Sequence, residues 1–384
     1  MTLSLSDRAD HITQAEIRVM TIECERIGGV NLAQGVCDLG VPPEVVEGTV
    51  EAIGQGVNSY TRYDGLRQLR QAIAEKLRLF NGLDVDAETE ITVSAGSTGS
   101  FYCACLALLN PGDEVILFEP FYGYHVNTLL AAGAVPRYVT MDPPAWTFAA
   151  SDLEAAVSPR TKGIMVCTPG NPSGKVYTRE ELQIVADFAR EHDLFIFTDE
   201  IYEYFVYDGR THLSPASLPS VRDRTIMISG YSKTYSITGW RIGYSVCESR
   251  WADAIGYVND LIYVCAPAPL QLGVATGITR LGPSYYAALC DAFRRKRDLL
   301  CSTLADVGLS PMVPQGAYYV LADASRLPGC NSKEKAMHLL RRTGVASVPG
   351  DAFYESAAGR DLVRFCFAKA EAELEEARDR LRRL

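Results

Sequence analysis

The chain has 384 residues, of which 47% are hydrophobic and 22% are charged, which is the ordinary composition of globular proteins. This length exceeds the size of one usual hydrophobic core, so the sequence predicts two domains. The formal net charge of -10 argues against nucleic acid or an anionic membrane as a partner, because phosphate surfaces require a basic face. A small anion in a local pocket is still compatible with this charge.

No stretch approaches the roughly 20 apolar residues that cross a bilayer, and residues 1–8 lack the basic-then-apolar profile of a signal peptide. The 11 cysteines are scattered through predicted strands and helices without a Cys-x-x-Cys pair. This distribution favours buried free thiols in a reducing cytoplasm. The five histidines show no metal-ligand spacing, so we expect no metal site.

Apolar runs of strand length alternate with helical patterns in the middle of the chain, at 114–118, 163–167, 194–198, 225–229 and 242–246. Continuous apolar runs are typical of a parallel sheet that is covered on both faces. A helix is predicted over 179–191, with Thr178 as its N-cap. Beyond about residue 285, a long helix (285–306), strands at 317–322 and 363–367 and a charged terminal helix indicate a smaller α+β domain.

Polar residues follow three of these strands directly: Asn171, Asp199 and Lys233. In open α/β sheets ligands lie beyond the carboxyl ends of the strands, so we expect the three side chains to converge on one crevice. An unprotonated lysine amine attacks aldehydes, and a carboxylate keeps a pyridine nitrogen protonated. This pairing is typical of a pyridoxal phosphate site. Asn171 and Tyr202 could hydrogen-bond the phenolate oxygen of such a ring.

An anion cradle is predicted where Gly96, Ser97 and Thr98 stand between a strand (90–94) and a helix that runs to 109. Free N–H groups at a helix N-terminus and two hydroxyls bind phosphate well, and Arg241 and Ser232 could add to them. Taken alone, the same residues could be an ordinary helix cap. A dinucleotide site is less favoured, because the Gly-x-Gly-x-x-Gly pattern is absent.

The sequence around Lys233 resembles the class I/II aminotransferases, which are fold-type I pyridoxal phosphate enzymes. The resemblance covers essentially the whole chain. It is carried by the motifs Ser232-Lys233-Thr234, Thr238-Gly239-Trp240-Arg241-Ile242-Gly243, Tyr60-Thr61 with Gly65 and Leu69-Arg70, Asn171-Pro172-Ser173-Gly174, Asp199-Glu200 with Tyr202, and Arg364 within an apolar strand.

The resemblance implies an α/β fold. A large domain (46–285) would contain a mostly parallel, seven-stranded sheet covered by helices on both faces. Residues 1–45 and 286–384 would form the smaller α+β domain. The resemblance also implies a homodimer in which Tyr60 reaches the cofactor phosphate of the neighbouring subunit, beside Gly96, Ser97, Thr98, Ser232 and Arg241.

Further roles follow from the same resemblance. Lys233 would hold the cofactor as a Schiff base, with Asp199 and Tyr202 at its ring, and Tyr122 would stack on that ring. Taken alone, Tyr122 could equally be a core aromatic. Arg364 would grip the substrate α-carboxylate, aided by Asn171 and the backbone of Gly35, although unaided it could be a buried structural ion pair. Cys37 stands where relatives usually have proline, which leaves the shape of this substrate-facing loop open.

The expected activity is transfer of an amino group from an L-amino acid to a 2-oxo acid, with Lys233 also acting as the proton shuttle. One alternative is another pyridoxal phosphate reaction, such as a β- or γ-lyase or a cyclase of secondary metabolism. A second alternative, the effector-sensing domain of a regulator, would need a DNA-binding module, and the family pattern leaves no room for one. Selectivity would come from residues 36–39, the segment around Tyr63, and residues 263–269. The substrate itself stays open.

Overall fold

A computed structural model describes residues 4–6, 9, 12, 15–37 and 40–384 of the chain. Two predictions fall partly outside the described residues. The prediction for the N-terminus does so at residues 1–3 and 7–8, and the prediction for the substrate-facing loop does so at residues 38–39. Within the described ranges, no helix is both long enough and apolar enough to cross a membrane.

The largest sheet has seven strands, in the spatial order β2-β8-β7-β6-β5-β3-β4. Its members are β2 (Ile91–Ala95), β3 (Glu114–Glu119), β4 (Val135–Thr140), β5 (Thr161–Cys167), β6 (Phe195–Asp199), β7 (Thr225–Gly230) and β8 (Ile242–Val246). All pairs from β7 to β4 are parallel. The predicted α/β class and the mostly parallel sheet are therefore confirmed.

Strand β8 departs from the parallel direction that its apolar run predicted, because it is antiparallel to both β7 and β2. The cause lies in the connection. Residues 231–241 form turns and contain no helix, whereas a parallel return to a neighbouring strand requires a longer crossover, usually helical. The apolar run predicted that β8 is buried, but it carried no information about direction.

Both faces of this sheet are covered, as alternate residues of β3 show. Ile116 and Phe118 belong to one apolar cluster, and Val115 and Leu117 belong to another. Because successive side chains of a strand point to opposite faces, two separate helical layers must pack on the sheet. The first layer includes α6 (Ala150–Ala156) and α7 (Arg179–Glu191), and the second includes α4 (Gly96–Leu108), α5 (Gly123–Ala132) and α8 (Ser249–Tyr263).

The start of α7 shows how local sequence fixes an element. The Thr178 hydroxyl accepts from the Glu181 amide at 3.2 Å, and the Glu181 carboxylate accepts from the Thr178 amide at 2.9 Å. This reciprocal capping box satisfies N–H groups that would otherwise lack partners at the helix start. The predicted N-cap is confirmed.

A second, antiparallel sheet follows later in the chain, with the order β12-β13-β10-β9. It consists of β9 (Ser310–Met312), β10 (Tyr319–Asp323), β12 (Val348–Pro349) and β13 (Leu362–Cys366). A short parallel pair joins β1 (Val30–Asn31) to β11 (Val345–Ala346), so a segment near the start of the chain lies beside its last quarter. The other helices are α1 (Glu16–Arg26), α2 (Pro43–Gly54), α3 (Arg67–Lys76), α9 (Ala268–Arg280), α10 (Pro283–Asp306), α11 (Ser332–Thr343) and α12 (Glu371–Leu381).

Candidate active site

A cavity of 210 Å³ opens beyond the carboxyl ends of the parallel strands. Strands β3, β5, β6 and β7 run in the same direction, so the segments that follow them meet at one edge of the sheet. Most of the site residues predicted from the sequence line this cavity: Ser97, Thr98, Tyr122, Asn171, Asp199, Tyr202, Ser232, Lys233 and Arg241. Three more predicted site residues contact this set without lining the cavity: Gly96, Gly35 and Arg364.

Lys233 lies in the turns after β7 and is half-buried. Its Nζ donates to the carbonyl oxygen of Gly35 at 3.3 Å and lies 5.9 Å from the centre of the Tyr318 ring. Burial lowers the pKa of Lys233, although the nearby thiols of Cys366 and Cys37 and the carboxylate of Asp199 act in the opposite direction. A lowered pKa increases the fraction of neutral amine, which is the nucleophilic form.

Asp199 ends β6 and is held by His125, a residue that sequence reasoning missed. The His125 Nε2 lies 2.9 Å from Asp199 Oδ2, and the amide of Ile201 donates to Oδ1 at 3.3 Å. His125 is in the first turn of α5, three residues after Tyr122, and the two rings meet edge to face at 5.3 Å. The signal that the sequence offers for this role is a histidine six residues after the end of β3, at the edge of the sheet where Asp199 lies.

Three tyrosine side chains meet on the side of the cavity near β10. The hydroxyls of Tyr202 and Tyr319 are 3.0 Å apart, and the Tyr318 hydroxyl donates to the Gly35 carbonyl at 3.1 Å. Burial raises the pKa of Tyr202, and it raises the pKa of Tyr319 to about 12. All three phenols therefore stay protonated at neutral pH and can donate hydrogen bonds. Tyr318 and Tyr319 were not predicted as site residues.

The proposed anion cradle is built around two glycines. Gly96 has a φ of 77°, and a Cβ at this position would overlap the guanidinium of Arg241. A Cβ on Gly243 would overlap the amide nitrogen of Ser97. The β8 backbone therefore lies directly against the first turn of α4, while Arg241 Nη1 is oriented by the Thr238 carbonyl at 2.9 Å. The result is a guanidinium beside the free N–H groups of a helix start, which suits a phosphate.

Arg364, on β13, is completely buried and has no carboxylate partner among the described residues. Its Nη1 donates to Asn171 Oδ1 at 3.1 Å, its Nη2 donates to the Ala33 carbonyl at 2.5 Å, and its Nε has no hydrogen-bond partner. The guanidinium packs against the ring of Tyr319 at 4.3 Å and that of Phe353 at 5.0 Å. A buried cation with a free donor is a binding group for an anionic ligand.

The N-terminal side of the site contains Gly35 and Cys37. A Cβ on Gly35 would overlap the Tyr319 hydroxyl, which explains why this position is glycine. Cys37 is buried and accepts a hydrogen bond at 3.1 Å from Ser236, three residues after Lys233. The thiol thus connects this loop to the lysine-bearing turn.

Tyr60 is the one predicted site residue that the described chain does not bring to the cavity. Its side chain is 83% exposed and is not among the residues that line the site. Large exposed apolar side chains are also found on α2 and α8: Val46, Val50, Ile53, Tyr257, Leu261 and Ile262. Exposed apolar side chains in such numbers on one helix are typical of an interaction surface.

The fold and the site together define a transaminase-type α/β enzyme. The family model for aminotransferase class I and II matches residues 27–381, and the chain belongs to this family. It is 33% identical over 355 residues to the methionine aminotransferase of Escherichia coli (strain K12), with 92% of each chain covered. It is 33% identical to the aromatic-amino-acid aminotransferase 2 of Thermococcus litoralis, with 100% of this chain and 98% of the relative covered.

A solved structure, that of N-succinyldiaminopimelate aminotransferase from Mycobacterium tuberculosis, superposes with a TM-score of 0.95. The two chains are 34% identical, and the superposition covers 98% of this chain and 99% of the other. These comparisons confirm the predicted family, the fold-type I architecture and the transaminase activity class.

Proposed function

We propose that this protein binds pyridoxal 5'-phosphate as a Schiff base on Lys233 and moves an amino group from an L-amino acid to a 2-oxo acid. Family membership supports the cofactor, since class I and II aminotransferases generally use it. The residues also suit it chemically. The close approach of Gly96 and Gly243 leaves space for a phosphate beside Ser97, Thr98 and Arg241.

The remaining cofactor contacts are assigned by the chemistry of each side chain. Asp199, oriented by His125, would keep a pyridine nitrogen protonated, and Tyr202 and Asn171 would donate to the phenolate oxygen. Tyr122 lines the same cavity and would stack on the ring. When bound, the cofactor supplies an electron sink that makes the substrate Cα–H acidic.

In this proposal the reaction uses the chain's own groups to hold the substrate and to move one proton. Arg364 and Asn171, with the backbone of Gly35, bind the substrate α-carboxylate and fix the direction of the Cα–H bond. Burial lowers the pKa of Lys233 and so increases its neutral fraction, and in that form its Nζ would accept the proton from the substrate Cα and hold it for return.

Arg364 is the observation that carries the amino-acid part of the proposal. It is completely buried, is fixed by Asn171 and Ala33, and has no carboxylate partner among the described residues. A structural arginine would need a buried anion, because an uncompensated internal charge is strongly unfavourable. An α-carboxylate, which all candidate substrates share, provides that anion.

The aromatic character of the site favours an amino donor with a neutral side chain. Phe101, Tyr122 and Tyr124 line the cavity, and Arg241 and Lys233 are its cations. With both cations assigned to the cofactor, the described residues that line the cavity leave no cation for a second substrate carboxylate. The names of two relatives, a methionine and an aromatic-amino-acid aminotransferase, agree with this preference. A screen that found aspartate to be the best donor, ahead of methionine and phenylalanine, would contradict it.

Replacing Lys233 tests the catalytic assignment. We expect Lys233→Ala to lower kcat by about 10³, because general acid–base catalysis contributes on the order of 10² to 10⁴. Lys162→Ala, which changes an exposed lysine of β5, is the control and should retain activity. Products should be counted in the same assay. One 2-oxo acid and one new amino acid per donor consumed support transfer, whereas ammonia release would indicate a lyase.

We further propose a homodimer in which Tyr60 of one subunit contacts the cofactor phosphate of the other. The exposed Tyr60 and the apolar surfaces of α2 and α8 support this assembly. We also propose a cytoplasmic location, supported by the 11 free cysteines.

A further inference from the structure

Glu119, the last residue of β3, is a buried carboxylate that the proposed reaction does not use. Its Oε1 accepts hydrogen bonds from the backbone amides of Glu355 and Ser356, the latter at 3.1 Å. Its Oε2 accepts from the hydroxyls of Ser356 and Thr140, both at 2.7 Å. A buried carboxylate is stable only with such donors. Three of the four donors belong to one segment, so Glu119 holds that segment in place.

The segment is the β12–β13 loop (residues 350–361), which leads into the strand of Arg364. Strands β12 and β13 pair with each other beside Arg364, so both ends of the loop are attached to the four-stranded sheet. The middle of the loop is attached to the end of β3 by Glu119 and by Phe121, whose amide donates to the Phe353 carbonyl at 2.9 Å. The loop therefore fixes the two sheets relative to each other.

This attachment joins two groups of side chains that the reaction must bring together. Lys233, Asp199 and Tyr122, which are assigned to the cofactor, lie at or after the ends of strands of the seven-stranded sheet. Arg364, which is assigned to the substrate carboxylate, lies on the four-stranded sheet. The buried ring of Phe353, within the β12–β13 loop, is 5.0 Å from the Arg364 guanidinium. Displacing the loop would therefore disturb the packing that orients Arg364.

We propose that Glu119 is a positioning residue that holds Arg364 at the correct distance and direction from the cofactor. It acts through the β12–β13 loop and Phe353, and it does not itself line the cavity that the described residues form. The inference rests on the proposed function, because it takes Arg364 as the group that binds the substrate α-carboxylate. Catalysis is sensitive to such positioning, since a displacement of about 1 Å can cost on the order of 10²-fold in rate.

A double-mutant cycle in steady-state kinetics tests the proposal. Glu119→Ala leaves two loop amides without their acceptor, and the resulting shift of Arg364 should lower kcat/KM for the amino donor about tenfold. In an Arg364→Gln background the guanidinium is already absent, so the same substitution should lower kcat/KM by less than about threefold. The affinity for the cofactor, measured by its absorbance on titration, should be similar with and without Glu119→Ala.

Two conservative variants separate geometry from charge. Glu119→Gln keeps an oxygen for the two amides, and its NH₂ group can donate to a hydroxyl oxygen, so kcat/KM should stay within about threefold of the unsubstituted value. Glu119→Asp keeps the carboxylate but withdraws it by one methylene, so its kcat/KM should lie between those of the Gln and Ala variants. Glu119→Asp in the two backgrounds also provides the cycle if the Ala variant does not fold.

Glu114→Ala is the matched control. Glu114 is also 1% exposed and lies at the other end of β3, where its carboxylate accepts from the Ser158 hydroxyl at 2.5 Å and from Arg160 at 2.6 Å. This substitution should destabilise the fold and leave kcat/KM of the folded enzyme unchanged.

Three results would overturn the positioning role. They are an unchanged kcat/KM in Glu119→Ala, an equal loss in both backgrounds, and a higher kcat/KM in Glu119→Asp than in Glu119→Gln. An Arg364→Gln enzyme with unchanged kcat/KM would instead contradict the carboxylate site of the proposed function.

Discussion

Tyr319 acts on the candidate site through another side chain. Its hydroxyl shares a hydrogen bond with Tyr202 at 3.0 Å. If Tyr202 donates its proton to the phenolate oxygen of the cofactor, it must accept from Tyr319. Tyr319 therefore fixes the direction in which the Tyr202 proton points, and it is a positioning residue in this proposal.

The substitution Tyr319→Phe tests that role. Without the Tyr319 hydroxyl, Tyr202 would donate a weaker hydrogen bond to the phenolate oxygen of the cofactor. The phenolate would then favour the protonated form of the neighbouring imine nitrogen. The pH midpoint of the cofactor absorbance change should therefore rise. A net hydrogen bond of about 0.5–1.5 kcal/mol corresponds to a shift of roughly half to one pH unit. Tyr354→Phe, at another buried tyrosine, is the control. An unchanged midpoint in Tyr319→Phe would contradict the role, and absence of any cofactor band would contradict the proposed function instead.

Lys233 also links stability to pH. Burial lowers its pKa in the folded chain, so the unfolded chain binds more protons between that lowered value and the ordinary lysine value. In this window stability rises with pH. We expect Lys233→Met without cofactor to be more stable than the unsubstituted apoenzyme at pH 7. This advantage should shrink as the pH approaches about 10.4, where lysine is half neutral when unfolded. Urea unfolding at several pH values measures the difference in free energy of unfolding between the two proteins. A difference that does not change with pH would contradict this prediction.

The site residues that could be predicted from the sequence are those with a recognisable motif or strand beside them in the chain. Lys233 stands in an extended motif, Asp199 ends β6, and Asn171 follows the end of β5. His125, Tyr318 and Tyr319 were missed because their partners are distant in sequence: His125 and Asp199 are 74 residues apart, and Tyr202 and Tyr319 are 117 apart. Such contacts depend on how the sheet and the later segments pack, which local patterns do not encode.

At the level of elements, the contact between β8 and α4 requires that Gly243 has no side chain. A Cβ on Gly243 would overlap the Ser97 amide nitrogen, and backbone cannot move aside as a flexible side chain can. We expect Gly243→Ala to destabilise the fold by about 1–3 kcal/mol, the usual cost of overpacking. It should also weaken cofactor binding by displacing the first turn of α4. Urea unfolding and a cofactor titration measure the two effects.

Gly239→Ala is the matched control within the same motif. Nothing lies within 4 Å of a Cβ at Gly239, so both properties should stay near those of the unsubstituted enzyme. Equal effects of the two substitutions would show that the close approach at Gly243 is not responsible.

Most elements could be predicted because each has a local cause. The apolar run of β5 and the capping box at Thr178 both act within a few residues. The direction of β8 could not be read from its own residues, since burial on both faces gives the same apolar run in either orientation. Only the short, non-helical connection from β7 contained that information.

For the whole molecule, the proposed assembly can be tested by complementation. Tyr60→Phe and Lys233→Ala subunits are each expected to be weak or inactive as homodimers. In a mixed dimer, the site with Lys233 intact would receive Tyr60 from its partner, so one complete site per dimer would form. We expect refolded mixtures to regain up to about half of the activity per heterodimer. Mixtures that stay at the level of the two parents would contradict action across the interface.

The role of the apolar surface in assembly can be tested by placing a charged residue on it. Leu261 on α8 is 85% exposed, and Leu261→Glu should shift the enzyme towards monomers in sedimentation experiments. Val313→Glu changes another exposed apolar residue, 58% accessible and distant in sequence, and should leave the assembly unchanged. The division into domains at 46–285 stays a proposal.

The backbone oxygen of Gly35 joins segments that lie far apart in the sequence. It accepts from Lys233, 198 residues later, and from Tyr318, 283 residues later, while Arg364 reaches Ala33 across 331 residues. Closing such long loops costs chain entropy before any contact is gained. The groups that one chain would supply to its own cofactor phosphate lie between residues 96 and 241, whereas two of the three groups assigned to the substrate carboxylate, Gly35 and Arg364, come from opposite ends of the chain. We therefore expect a nascent chain to complete its cofactor groups before its substrate groups, because Arg364 lies in the last tenth of the chain.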